Sequence, residues 1–190
     1  MATIYEGDQP SIATTRLALR ALTMQDAKTV QRLAGDAHIA AMTDNVPHPY
    51  EDGMAEAWIE RSGFLWSHGR SATYAMCLAD SGDFIGCCGL TIVQRHRRAS
   101  LGYWVGREFW GNGFCTEAAN ALVEFGFNRL NLHRIFAMHL SRNPASGAVM
   151  RKIGMSHEAT LADYVLKNDV FEDMELYTIF PGNNTKTPGA

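Results

Sequence analysis

The chain has 190 residues, of which 46% are hydrophobic and 19% charged. That is long enough for one domain with a substantial core and too apolar for a disordered chain. A formal net charge of −3 lacks the broad cationic surface that a nucleic-acid backbone requires, so nucleic acid is not expected as a partner.

Residues 1–14 are polar and aperiodic, and residues 181–190 are rich in turn formers. Both ends are expected to fray and to carry no chemistry. Leu17, Leu19 and Ala21 alternate with Arg16 and Arg20, which predicts a first strand. Thr23 stands three residues before Asp26 and offers an N-cap to a helix carrying Val30, Leu33 and Ala34, with Gly35 as its stop. The prolines of residues 45–49 predict a loop. A second helix is expected over 51–68, with Ala55, Trp58, Ile59, Ser62 and Leu65 along one face. Strands over 72–78 and 84–93 flank a turn at 80–83 and make a hairpin. Gly86, Cys87, Cys88 and Gly89 in its second strand leave room for a close approach. A basic loop at 94–98 leads to a strand over 99–105, and a helix follows over 116–129 on the spacing of Ala118, Ala121, Leu122 and Phe125. Residues 134–140 read as a strand, and Asn143-Pro144 opens a further helix that Gly154 ends. Strands over 155–161 and 171–180 complete one mixed α/β domain, hairpins first and helix-connected strands later, with a partly antiparallel sheet.

The most informative stretch is Tyr103-Trp104-Val105-Gly106-Arg107-Glu108-Phe109-Trp110-Gly111-Asn112-Gly113-Phe114-Cys115-Thr116-Glu117: strand, glycine loop, helix. Glycines let successive N–H groups point inward, and the helix start adds unpaired donors and a positive dipole end. A phosphate or pyrophosphate is the natural guest. Gly106 and Gly111 have the spacing of a nucleotide-triphosphatase loop, but Asn112 and Gly113 follow where Lys and Ser or Thr are needed. Gly111 and Gly113 begin a dinucleotide fingerprint, yet Thr116 takes the third glycine position and no acid for a ribose occurs near 131–134.

The order of four groups of residues gives a more specific match. They are Thr15-Arg16-Leu17-x-Leu19-Arg20 with Asp26; Ile85-Gly86 before Gly102-Tyr103-Trp104; residues 109–118; and Asn131-Leu132-His133-Arg134-Ile135 with Asn143-Pro144-Ala145-Ser146 and Lys152-Ile153-Gly154-Met155. In this the chain resembles the Gcn5-related N-acetyltransferase (GNAT) superfamily, and within it the RimJ/RimL-like ribosomal-protein N-terminal acetyltransferases, over residues 14–180.

The resemblance implies a central twisted sheet of about seven strands, parallel and antiparallel, flanked by about four helices and splayed in the middle for acyl-CoA. It implies acetyl-CoA as cofactor, with the pyrophosphate on the backbone of Gly111, Asn112, Gly113, Phe114, Cys115 and Thr116. Trp110 precedes this loop where the superfamily pattern has Arg or Gln, and Cys115 is small enough for close approach. Unpaired strand groups near Trp104 and Val105 would bond the pantetheine amides as a sheet edge bonds an added strand, and Asn143 would join them. Ser146 matches a serine placed near the sulfur in similar proteins and is the proposed hydrogen-bond donor or acid for the leaving thiolate.

The acceptor is an amine, at a protein N-terminus or in a small molecule such as a polyamine, an aminoglycoside or an amino-acid derivative. Ser100 stands where many relatives have a carboxylate. Holding an α-amine of pKa about 8 neutral at pH 7 costs about 1.4 kcal/mol, against about 4.6 for lysine near 10.4. The missing carboxylate thus favours an N-terminal amine, with water relayed to His96 or Asp44 as the route for its proton. It also leaves open a non-catalytic acyl-CoA sensor.

Several residues have plainer readings. Glu117 suits the positive end of a helix, and Arg95, Arg97 and Arg98 are a solvated hairpin loop. Trp58, Phe64 and Trp66 belong to the core. His133 and His139 lack metal-ligand spacing, so no metal is expected. Cys87 and Cys88 point to opposite faces as packing residues, and Cys115 packs and is not a nucleophile. The four cysteines, the absence of an apolar leader and the lack of any run near the roughly 18 apolar residues of a membrane span fit a cytoplasmic protein, monomeric or homodimeric, with no membrane partner.

Overall fold

The computed structural model describes residues 5 and 7–182. Eight strands form one sheet in the order β1-β2-β3-β4-β5-β6-β8-β7. They are β1 (Ile12–Ala13), β2 (Leu17–Ala21), β3 (Ser71–Leu78), β4 (Phe84–Val93), β5 (Arg98–Val105), β6 (Arg134–Leu140), β7 (Ser156–Lys167) and β8 (Val170–Ile179). The helices are α1 (Ala27–Ala34), α2 (Ala37–Met42), α3 (Met54–Ser67), α4 (Phe114–Asn128) and α5 (Pro144–Lys152). All neighbouring strands run antiparallel except β5 and β6.

The extra strand against the seven expected is β1, which pairs Ile12 with Leu19. The N-terminal end was expected to fray, and over these residues it does not, because β2 offers it an open edge. Most of the C-terminal segment expected to fray lies outside the described residues. The fifth helix is α2, which lies between the first predicted helix and the predicted loop at 45–49. Asp36 caps it by accepting from His38 N at 2.7 Å, and Gly35 ends α1 as expected. β7 runs on through residue 167, six residues past its predicted end.

The sheet has a core on each face. Leu17, Leu19, Tyr74, Met76, Leu90, Leu101, Leu122 and Ile135 meet α4 and α5 on one side. Val30, Leu33, Ile59, Ala75, Cys77, Phe84 and Cys87 pack with α1 and α3 on the other. Adjacent Cys87 and Cys88 fall in different cores, as the alternation of a strand requires. Trp66 is buried and Trp58 partly so, but Phe64 stands 58% exposed and is not a core residue. The close approach at Gly86 is made by β5: a Cβ there would sit 2.7 Å from Val105 Cα.

β5 and β6 pair over only three positions, Arg98 with Arg134, Ala99 with Ile135 and Ser100 with Phe136. Beyond Ser100 they part. On the other side β5 stays paired with β4 through Val105, so the sheet opens along one edge of β5 alone.

Candidate acyl-CoA site

The opening leads into a cavity of 1130 Å³. Its walls come from the end of β5, the 109–116 segment, the start of α5 and the residues between α1 and α3. Gly106 N donates to Ile85 O at 2.8 Å. By the alternation of an antiparallel ladder, Trp104 then turns both backbone groups to β4, while Tyr103 and Val105, beyond the last pairing with β6, turn theirs to the gap. Trp104 therefore lacks the free backbone groups expected of it. Its side chain borders the cavity from the α1–α3 side, 6.1 Å from the Phe84 ring. Val105 does face the gap, and its carbonyl already accepts from the Trp110 indole N–H at 2.9 Å.

A 3₁₀ turn over Arg107–Phe109 leads into the glycine loop. Gly111 and Gly113 both have φ of +78°, a left-handed conformation that glycine adopts without strain. The Asn112 side chain is used locally, donating to Phe109 O and Trp110 O at 3.1 Å. Gly113 caps α4 without a side chain. Among the described residues no protein group accepts from the backbone N–H groups of residues 111–116. Exposed donors at the head of a 15-residue helix form an anion cradle. Gly111, Gly113, Phe114, Cys115 and Thr116 line the cavity, and Asn112 sits outside it. Burial pushes the Cys115 thiol up to about 12, so it stays protonated and unreactive near neutral pH.

Ser146 lies in the first turn of α5. Asn143 caps that helix, its Oδ1 accepting from Ser146 N at 3.2 Å, while its Nδ2 donates to Met42 O at 2.9 Å. Both ends of the Asn143 amide are thus spent within the protein. The Ser146 Oγ is 3.0 Å from the Tyr103 hydroxyl, which also donates to Ser146 O at 3.0 Å. Tyr103 crosses from β5 to α5 at the split, and sequence patterns gave it no role. Burial raises its pKa well above the ordinary phenol value, outweighing the hydrogen bond with Ser146 that lowers it. It remains a neutral donor.

Three successive carbonyls at the end of α2 are held from the far half of the sheet. Ala41 O accepts from Arg142 Nη2 at 2.8 Å, Met42 O from Asn143, and Thr43 O from Lys167 Nζ at 2.8 Å. Arg142 is fixed in turn by both oxygens of Glu172, at 2.5 and 2.8 Å. Residues 42–47 consequently roof the cavity.

Of the residues considered for the acceptor's proton, Asp44 is on this roof and is the only carboxylate lining the cavity among the described residues. His96 lies in the turn between β4 and β5 and does not line it. Ser100 does. His139 also lines it, with Nδ1 2.8 Å from Leu140 O and a buried Nε2 that has no partner among the described residues. Arg97 is structural, binding the carbonyl and side-chain oxygens of Asn131 at 2.8 and 2.7 Å. Among the described residues no cluster of His, Cys, Asp or Glu is placed to hold a metal, and no helix is long and apolar enough to cross a membrane.

A mixed sheet broken between two parallel strands, with a backbone anion cradle at one lip of the break, defines an acyl-CoA-dependent transferase. The model of the acetyltransferase (GNAT) domain family matches residues 16–156, and the chain belongs to that family. It is 30% identical over 171 residues to an uncharacterised N-acetyltransferase, YoaA, of Bacillus subtilis (strain 168), covering 90% of this chain and 96% of that protein. It is 25% identical over 180 residues to the [ribosomal protein uS5]-alanine N-acetyltransferase of Escherichia coli (strain K12), covering 89% and 91%. Among solved structures, RimJ of Mycobacterium smegmatis in complex with CoA-disulfide superposes with TM-score 0.84 at 23% identity, over 94% of this chain and 91% of that one. Spermidine N-acetyltransferase of Vibrio cholerae in complex with CoA and spermine superposes with TM-score 0.76 at 23% identity, over 88% and 96%. The two superpositions bear on fold alone. The chain is an acetyl-CoA-dependent N-acetyltransferase.

Proposed function

We propose that this protein acetylates the α-amine of a polypeptide N-terminus. The observation that carries this reading is the shortage of strong bases in the cavity, where Asp44 is the lone carboxylate among the described residues and β5 contributes the neutral Ser100. An α-amine reaches its neutral form near pH 7 at about 1.4 kcal/mol, whereas a lysine needs about 4.6. The [ribosomal protein uS5]-alanine N-acetyltransferase of Escherichia coli supports the same class of acceptor.

The residues present suit the cofactor: free N–H groups at 111–116 for a diphosphate, and the unpaired edge of β5 for an amide-bearing arm. Acetyl-CoA supplies the acyl group as a thioester. Residues 111–116 would hold its diphosphate, Tyr103 and Val105 would present backbone groups to the arm, and the Val105 N–H would polarise a carbonyl at the lip. Ser146, oriented by Tyr103, holds a proton at Oγ for a departing sulfur anion. Asp44 takes the amine proton through water.

Small amines are the second reading, since the same fold also serves a spermidine N-acetyltransferase. Free thiol released from acetyl-CoA, followed across N-terminal peptides, lysine-side-chain peptides and polyamines, separates the two. Peptides with a free α-amine are expected to turn over fastest. A polyamine preferred over every peptide would overturn the proposal.

A further inference from the structure

Arg16 lies about 100 residues from the glycine loop in sequence, yet its side chain reaches the loop in space. Arg16 Nη1 donates to Asn112 O at 3.0 Å, and its Nε donates to Glu117 Oε2 at 2.7 Å. The Arg16 backbone N–H and the Thr14 hydroxyl both donate to Glu117 Oε1 at 2.7 Å. The guanidinium lies 4.8 Å over the Phe114 ring, a stacking that pins its plane. Its remaining Nη2 is 3.6 Å from where a Cβ of Gly113 would stand.

Two consequences follow for the cradle. A trans peptide points its C=O and N–H in opposite directions, so holding Asn112 O toward Arg16 turns the Gly113 N–H away from it. That peptide lies between Asn112 and a glycine at φ +78°, where backbone rotation is easy. Glu117, in the first turn of α4, would also oppose an incoming anion. Its carboxylate is instead saturated by three donors and paired with a cation. Burial alone would raise its pKa, but the bonds from Thr14 and Arg16 hold it below the ordinary value.

We propose that Arg16 is a positioning residue for acetyl-CoA, locking the Asn112–Gly113 peptide so that its N–H meets the diphosphate and cancelling the charge of Glu117 beside it. This rests on residues 111–116 being the diphosphate site.

The test is calorimetric titration of the full chain with CoA and with 3′-dephospho-CoA, which keeps the diphosphate. Arg16→Ala is expected to raise both Kd values about tenfold or more, the scale of a lost charge-assisted hydrogen bond. Arg16→Lys keeps the charge without the fork and is expected to fall between. In turnover, the KM for acetyl-CoA should rise while kcat at saturation changes less than about twofold. An Arg16→Ala Kd within about twofold of the parent's, or a loss seen with CoA and absent with 3′-dephospho-CoA, would overturn the proposal. Should Arg16→Ala not fold, an Arg16→Lys protein with the parent's affinity would do the same. Gly113→Asp places a carboxylate in the cradle itself. If it alone abolishes CoA binding, the loop assignment stands and the role of Arg16 fails; if it binds CoA normally, the loop assignment fails first.

Discussion

The Ser146 hydroxyl has a defined partner, the Tyr103 phenol 3.0 Å away, on the opposite side of the split from its own helix. Tyr103 also grips the Ser146 carbonyl, so replacing the serine side chain leaves one bridge across the split in place. Ser146→Ala is therefore expected to lower kcat more than about tenfold while the Kd for CoA moves less than about twofold. Steady-state kinetics with calorimetry checks both halves, and an unchanged kcat would remove Ser146 from the chemistry. Ser146 was visible in the sequence as a candidate because a serine at that place in an Asn-Pro-x-Ser helix start matches the family pattern. Tyr103 was not, since nothing in its neighbours tells which face of β5 meets α5. Trp104 is the converse case: its place beside the glycine loop follows from the sequence, but ladder alternation gives its backbone to Cys87.

At the scale of elements, the turn that opens α1 depends on one carboxylate. Asp26, 5% exposed, accepts from Thr23 N at 2.8 Å and from both terminal nitrogens of Arg20 at 2.8 and 2.7 Å. Burial on its own would raise its pKa, but Arg20 and Thr23 together hold it below the ordinary 3.8. A depressed folded-state pKa contributes stability that is present above the unfolded value and lost as pH falls through the folded one. Asp26→Asn should thus cost about 2 kcal/mol at pH 7, with the gap to the parent closing below about pH 3.8. Urea unfolding at the two pH values measures this, and a gap independent of pH would contradict it. The Thr23 and Asp26 spacing announced this cap. The following short helix, α2, carried too few residues for a periodic signal and depends on its capture by Arg142, Asn143 and Lys167.

For the whole molecule, that capture joins two halves of the sheet which β5 and β6 leave apart. On the proposed reading the roof over 42–47 faces the amine, so loosening it should act on the amine and not on the cofactor. Arg142→Ala frees the Ala41 carbonyl and is expected to raise the amine KM several-fold, with CoA affinity within about twofold. Stability should change by less than about 1 kcal/mol, because Arg142 is exposed and surface ion pairs contribute little. Amine saturation curves alongside CoA titrations test this. A Kd for CoA that rises as much as the amine KM would mean the roof also shapes the cofactor half.

The amino-acid sequence alone determined what is local: strand alternation at Leu17 and Leu19, the caps at Thr23 and Asn143, the glycines that let residues 111–113 turn, and the helix behind them. Each of these is set by residues within a few positions of one another, where backbone stereochemistry and side-chain periodicity act directly. Tertiary structure decided the parting of β5 from β6 after Ser100, the bridge from Tyr103 to Ser146, the roof tied by Lys167 to Thr43, and the clasp of Arg16 on Asn112 and Glu117. These contacts join segments from tens of residues to 124 residues apart, and which side chains meet there depends on strand order and register across the whole sheet.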